Sequence, residues 1–180
     1  MIRFGQIAFA VLFALYPLAV YAGLRAGNVQ WAALTLAAAA CLQAMSSRRP
    51  VSIVCAGVAG GLAFLSFTAD TALPVKFYPV AVNAAWLVFF AASLSGESVI
   101  EKLARLKEPD LPAAGRRYCR RLTLVWCAFF VLNGLIAFDS AVNRTEAWWA
   151  LYNGLIAYVL IGCLFAGEWL IRLRIRKRSP

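Results

Sequence analysis

Residues 121–139 read RLTLVWCAFFVLNGLIAFD, with 17 uncharged residues between Arg121 and Asp139. A bilayer core of ~30 Å takes about 20 apolar residues in a helix. The run reaches that length because the stems of Arg120 and Arg121 can lie along it while their charged ends reach water. The same pattern extends outward in both directions. Twenty-one uncharged residues separate Glu146 from Glu168, and 20 separate Lys76 from Glu97. Pro50–Ala69 adds 20 more before Asp70, and runs of 22 and 21 lie between Arg25 and Arg48 and between Arg3 and Arg25. Barrel strands would instead alternate over ~10 residues. The sequence therefore predicts an all-α integral membrane protein, one polytopic domain over residues 1–180. Six transmembrane helices are expected at about 4–22, 29–45, 50–69, 77–95, 119–138 and 147–170, with a short cytoplasmic amphipathic helix at 98–108.

Composition agrees. Of the 180 residues, 63% are hydrophobic and 14% charged, and the mean hydropathy is +0.74. Soluble proteins carry roughly 45–50% apolar residues, and a soluble domain of this size could not hide the surplus. Histidine is absent, which excludes His-based acid–base catalysis, Ser-His-Asp sites and His-ligated metals. The cysteines Cys41, Cys55, Cys119, Cys127 and Cys163 form no CxxC and no metal spacing, and read as small packing residues. No cofactor is expected, and with no recognisable catalytic constellation the sequence leans away from an enzyme.

Basic residues set an orientation. Alternating sides from an inside start puts 15 of the 18 lysines and arginines on one face and leaves Arg25, Lys76 and Arg144 on the other. This positive-inside bias predicts that both termini are cytoplasmic. Val20 and Ala22 fit a small-residue cleavage site. The apolar run before them is long for a signal peptide and only Arg3 precedes it, so a retained first helix is expected. The basic stretch Arg172–Arg178 suits anionic lipid headgroups rather than nucleic acid. Trp31, Trp148, Trp149, Trp169, Tyr21 and Tyr118 near span ends read as an interfacial belt.

Three candidate sites emerge. Asn83, Asn133 and Asn153 each lie six or seven residues in from the outer end of a span, ~9–11 Å deep at 1.5 Å per residue. Gly134 and Gly154 beside two of them permit close helix approach. The layer reads either as an amide cluster that holds three helices together or as a polar pocket open outward, with Lys76 adding positive charge. Lys76, Pro79, Asn83 and Phe90 share one helical face. On the cytoplasmic side, Ser98 and Glu101 form a capping box. Val99, Ile100, Leu103 and Leu106 make an apolar face opposite Glu101, Lys102, Arg105 and Lys107. Lys102, Arg105, Lys107, Arg116 and Arg117 are the candidate docking surface for an acidic partner or for lipid headgroups. Glu168 and Arg172, four apart, read as a structural ion pair. Gly57 and Gly61 form a GxxxG in the third span, suited to seating a neighbouring helix or, in a homo-oligomer, a second protomer. The pentapeptide NGLIA occurs at Asn133–Ala137 and again at Asn153–Ala157. Consecutive spans are antiparallel, so the two copies do not mark a tandem repeat.

The string KFYP at Lys76–Pro79, Asn83, IEKLAR at Ile100–Arg105, Leu111-Pro112, Tyr118–Arg121, Trp126, the two Asn-Gly pairs and Glu168 together carry a likeness. Over about Leu73–Arg172 the chain resembles an uncharacterised bacterial inner-membrane family encoded among fatty-acid and aryl-polyene biosynthesis genes. A looser likeness, through Leu111-Pro112, Trp126, Phe129, Phe130 and Gly134, is to the intracellular septation protein A family. The first resemblance implies a non-enzymatic accessory protein in biosynthesis or handling of a fatty-acyl or aryl-polyene lipid. The basic inner face adds acyl carrier proteins, which are acidic, as a partner class beside membrane lipids. The alternatives are a small lipid transporter or flippase using the asparagine layer, and a septation-like envelope protein.

Overall fold

The computed structural model describes residues 50–106 and 108–178, together with positions 21–23, 25, 26, 31, 34, 37 and 38. The spans expected at 4–22 and 29–45 fall almost wholly outside these residues, as do Pro17, Cys41 and Lys107. All regular structure among the described residues is helical. In chain order it comprises α1 (Pro50–Ala69), α2 (Leu73–Lys76), α3 (Tyr78–Ser93), α4 (Val99–Arg105), α5 (Ala113–Asn143), α6 (Glu146–Leu151), a π-helical turn (Tyr152–Ile156) and α7 (Ala157–Arg178). Three stretches are long and apolar enough to cross a membrane: Leu73–Ser93, Ala113–Asn143 and Glu146–Arg172. The apolar stretch Ala56–Ala69 within α1 is shorter.

Local chemistry sets each boundary. At the end of α1, Asp70 takes a positive φ of 49° and the Thr71 N–H bonds the Ser66 carbonyl at 3.3 Å, a Schellman stop. The Ser66 hydroxyl donates to the Thr71 carbonyl. The fourth span, expected at 77–95, is helical as α3 and is preceded by the short helix α2, the two meeting at Phe77, with Pro74 and Pro79 in their first turns. A proline costs nothing there, because its missing N–H would lack a helical partner. Between α3 and α4 the Ser93 hydroxyl accepts the Val99 N–H at 3.1 Å, and the Ser98 hydroxyl caps α4 through the Glu101 N–H. Helix α4 is shorter than the expected 98–108 segment. Pro112 starts α5, where Leu111 folds over Gly115; a β-carbon on that glycine would meet Leu111 at 3.0 Å. Thr145 caps α6 through the Trp148 N–H.

Helix α5 is the axis, packing along α3 and against α4 and α6. Two clusters hold the bundle. At the asparagine end, Ala59 and Ala63 of α1 meet Val75, Tyr78, Ala141 and Trp149. At the basic end, Phe90, Ile100, Cys119, Leu122, Trp126 and Phe130 pack together. Large apolar side chains such as Phe64, Leu132, Leu135 and Trp169 lie on the surface. That is the inverse of a soluble protein and suits a lipid surround.

Two expectations change, and the GxxxG of α1 lies off the described seam. The buried face of α1 is Ala59, Ala63 and Ser66, whereas a β-carbon at Gly57, Gly60 or Gly61 would touch nothing within 4 Å among the described residues. The alanines already permit close approach, so the GxxxG is not the seam with α3. Trp149 is no belt residue: it is fully buried and donates its indole N–H to the Lys76 carbonyl at 3.1 Å. On α4, Ile100 and Glu101 are buried while Leu103 and Leu106 are exposed. The carboxylate can turn inward because Arg105 meets it at 3.0 Å, which offsets the cost of burying the charge.

Candidate functional site

The three asparagines are all buried, and two of them meet. Asn133 Nδ2 donates to Asn83 Oδ1 at 3.0 Å, and Asn83 Nδ2 donates to the Pro79 carbonyl at 2.8 Å. The Tyr152 hydroxyl donates to Asn133 Oδ1 at 2.8 Å. Asn153 bonds to α5 separately: its Nδ2 donates to Ser140 Oγ at 3.1 Å and to the Trp149 carbonyl at 2.9 Å, and the Ser140 hydroxyl donates to the Ala137 carbonyl at 2.7 Å. This network ties α3, α5 and the π-turn together. Gly134 makes the approach possible, since a β-carbon there would lie 3.3 Å from Asn83 Cβ. Lys76 stands apart from the layer. Its ammonium pairs with Glu146 of α6 at 3.5 Å and is mostly covered.

Beside the layer runs an apolar groove of about 370 Å³, lined by α3, α4, α5, the π-turn and α7. Pro79, Asn83 and Phe90 line it, as their shared helical face requires; Lys76 does not. Its walls are aromatic: Trp86 and Phe90 from α3, Trp126, Phe129 and Phe130 from α5, and Phe165 from α7. Phe90 and Phe130 meet edge to face at 5.2 Å between centroids, and Trp126 and Phe165 lie 4.8 Å apart. The asparagines border one end, and Ile100 and Leu103 of α4 the other. Trp126 is 5% exposed and its indole N–H has no hydrogen-bond partner among the described residues. The groove residues Trp86, Trp126, Phe129, Phe130 and Phe165 were not singled out as a site by the sequence reading. Trp86/Phe90 and Trp126/Phe130 are each four apart, and that spacing on adjacent spans was the available signal.

At the basic end, Lys102, Arg116 and Arg117 are exposed. Arg105 is not a free cation: it pairs with Glu101 and, at 3.5 Å, with Glu97. The hydrogen bond it donates to Glu101 raises the guanidinium's pKa above the ordinary arginine value. Lys107 lies outside the described residues. Glu168 and Arg172 form an i,i+4 pair. Cys119, Cys127 and Cys163 are free thiols, and no cluster of three potential metal ligands occurs among the described residues.

These features define an all-helical membrane protein with an aromatic groove and a buried amide network. No family model, curated protein or solved structure matches the chain.

Proposed function

We propose that this is a six-span protein of the bacterial inner membrane, both termini cytoplasmic, that serves as a non-enzymatic accessory in handling a fatty-acyl or polyene lipid. The aromatic groove receives the apolar chain, and the exposed cations at the cytoplasmic end dock an acidic acyl carrier protein. The observation that carries the reading is the groove itself. Its lining on α3 runs from Tyr78 to Phe90, ~18 Å of helix, close to the ~15 Å depth of one leaflet. Apolar walls with few polar groups are how small-molecule sites are generally built. The fifteen-to-three distribution of basic residues supports the orientation. The transporter alternative draws less support, because the asparagine amides are committed to one another and to nearby hydroxyl and carbonyl groups.

Photo-crosslinking with a diazirine-bearing acyl chain in membranes tests the reading. Label should concentrate on α3, α5 and α7 residues of the groove. Equal labelling of Phe64, Leu132 and Leu135 on the outer surface would defeat it. Capture of an acyl carrier protein should fall when Lys102, Arg116 and Arg117 are changed to Gln, and should fade by ~0.15 M salt as screening sets in.

A further inference from the structure

Among the described residues that line the groove, one fully buried side-chain polar atom has no hydrogen-bond partner. The asparagine amides at its far end have partners, whereas the Trp126 N–H is buried among aromatic rings with none among the described residues. A buried donor without an acceptor is costly, and native proteins rarely leave one unless something else supplies the acceptor. Trp126 has no spare rotation for finding one in the protein, since its ring is wedged between Phe90, Phe129, Phe130 and Phe165.

Position narrows the class of acceptor. Trp126 lies five residues beyond Arg121, ~7.5 Å further along α5. If the Arg121 charge sits among headgroups, the Trp126 N–H lies near the depth of the lipid ester linkages and well short of the bilayer centre. The groove leads from there toward Asn83, an apolar path for the chain. The same end carries the exposed cations Lys102, Arg116, Arg117, Arg120 and Arg121, and Leu103, next to Lys102, lines the groove. One site thus offers a cationic rim, a buried indole donor and an apolar channel, in that order. This matches phosphate, ester carbonyl and hydrocarbon chain.

We infer that the groove holds one acyl chain of an anionic phospholipid from the leaflet at the basic end, with an ester carbonyl oxygen of that lipid accepting the Trp126 indole N–H. This rests on the acyl-chain reading above and names its ligand: an acyl ester with an anionic headgroup, entering from the cytoplasmic side.

The test compares phosphatidylglycerol with its diether analogue, which keeps headgroup and chains but lacks the carbonyls. The intact protein is reconstituted in nanodiscs of each lipid diluted into zwitterionic ether lipid, and bound lipid is counted by native mass spectrometry. Wild type should retain the diester roughly two- to tenfold better, the range of one hydrogen bond. Trp126→Phe should bind both lipids equally. An indole-¹⁵N spectrum of the wild type gives a readout independent of any variant: the Trp126 resonance should move when the diester replaces the diether. Equal retention of both lipids by wild type, with an unmoved resonance, would overturn the ester contact yet leave the acyl-chain reading standing. Retention of neither would remove both. Preferential capture of a free fatty acid or a zwitterionic diester would overturn the choice of occupant.

Discussion

The pentapeptide NGLIA occupies two neighbouring segments of this protein and folds differently in each. At Asn133–Ala137 it continues the regular helix α5. At Asn153–Ala157 four of its residues lie in a π-turn, closed by the Ala157 N–H on the Tyr152 carbonyl five residues back. Five identical residues cannot carry the difference, so their surroundings must. In the first copy only Asn133 and Ala137, four apart, are buried, and an α-helix serves that spacing. Around the second copy Trp149, Tyr152, Asn153 and Ala157 are all buried, with Tyr152 and Asn153 both turned to partners on α5. An α-helix sets adjacent residues ~100° apart. The wider turn lets the pair at 152–153 and the residue at 157 share one face, consistent with the frequent placement of π-bulges at functional sites.

The strongest way to break the comparison is to overload the second copy. The π-turn already absorbs one extra residue, so inserting an alanine after the exposed Leu155 should rotate all of α7 beyond it by ~100°. Ile161 and Phe165 would leave the groove. The loss should resemble deletion of a large aromatic, about 3–5 kcal/mol, read as unfolding in detergent, with acyl-chain crosslinking abolished. Next is Gly134→Leu in the first copy. The added side chain must displace Asn83, and overpacking of that kind costs about 1–3 kcal/mol. The asparagines come third. Asn133→Ala strips partners from both Asn83 and Tyr152, so it should destabilise more than Asn153→Ala. Each lost interhelical bond is worth ~0.6 kcal/mol, up to ~1.7; equal effects in a thermal shift would show that the network is not shared as the distances indicate. Smallest is Lys76→Met, which removes the pair between the mostly covered Lys76 and the half-exposed Glu146. It should change stability by less than about 1 kcal/mol.

The large features were legible because they depend on composition and spacing. Uncharged runs announce α3, α5 and the segment from α6 into α7, and Asn83, Asn133 and Asn153 could be aligned by counting residues from each span end. The π-turn was not legible, since the same letters are α-helical twenty residues earlier. Glu101 was assigned to the polar face of α4, because the i,i+4 pattern alone does not show that its own Arg105 would let it turn inward. Lys76 was given to the asparagine pocket because counting along one helix does not reveal that Glu146, seventy residues on, meets it. The orphaned Trp126 N–H is likewise a property of neighbours from other helices.

Helix α5 has 31 residues, a rod ~46 Å long through a hydrocarbon layer of ~30 Å. It must project, and Ala113–Arg121 is its polar arm. Arg116 and Arg117 sit on that arm, while Asn133 and Ser140 sit on the far side of the midpoint. A stiff rod pivoting about its centre by 5° carries each end about 2 Å, given a half-length of ~23 Å. Ser140, twelve residues or ~18 Å from the centre, would move about 1.6 Å, enough to loosen its 3.1 Å contact with Asn153. A load applied to the arginines would thus act on one arm of a balanced lever and be felt at the opposite face of the membrane.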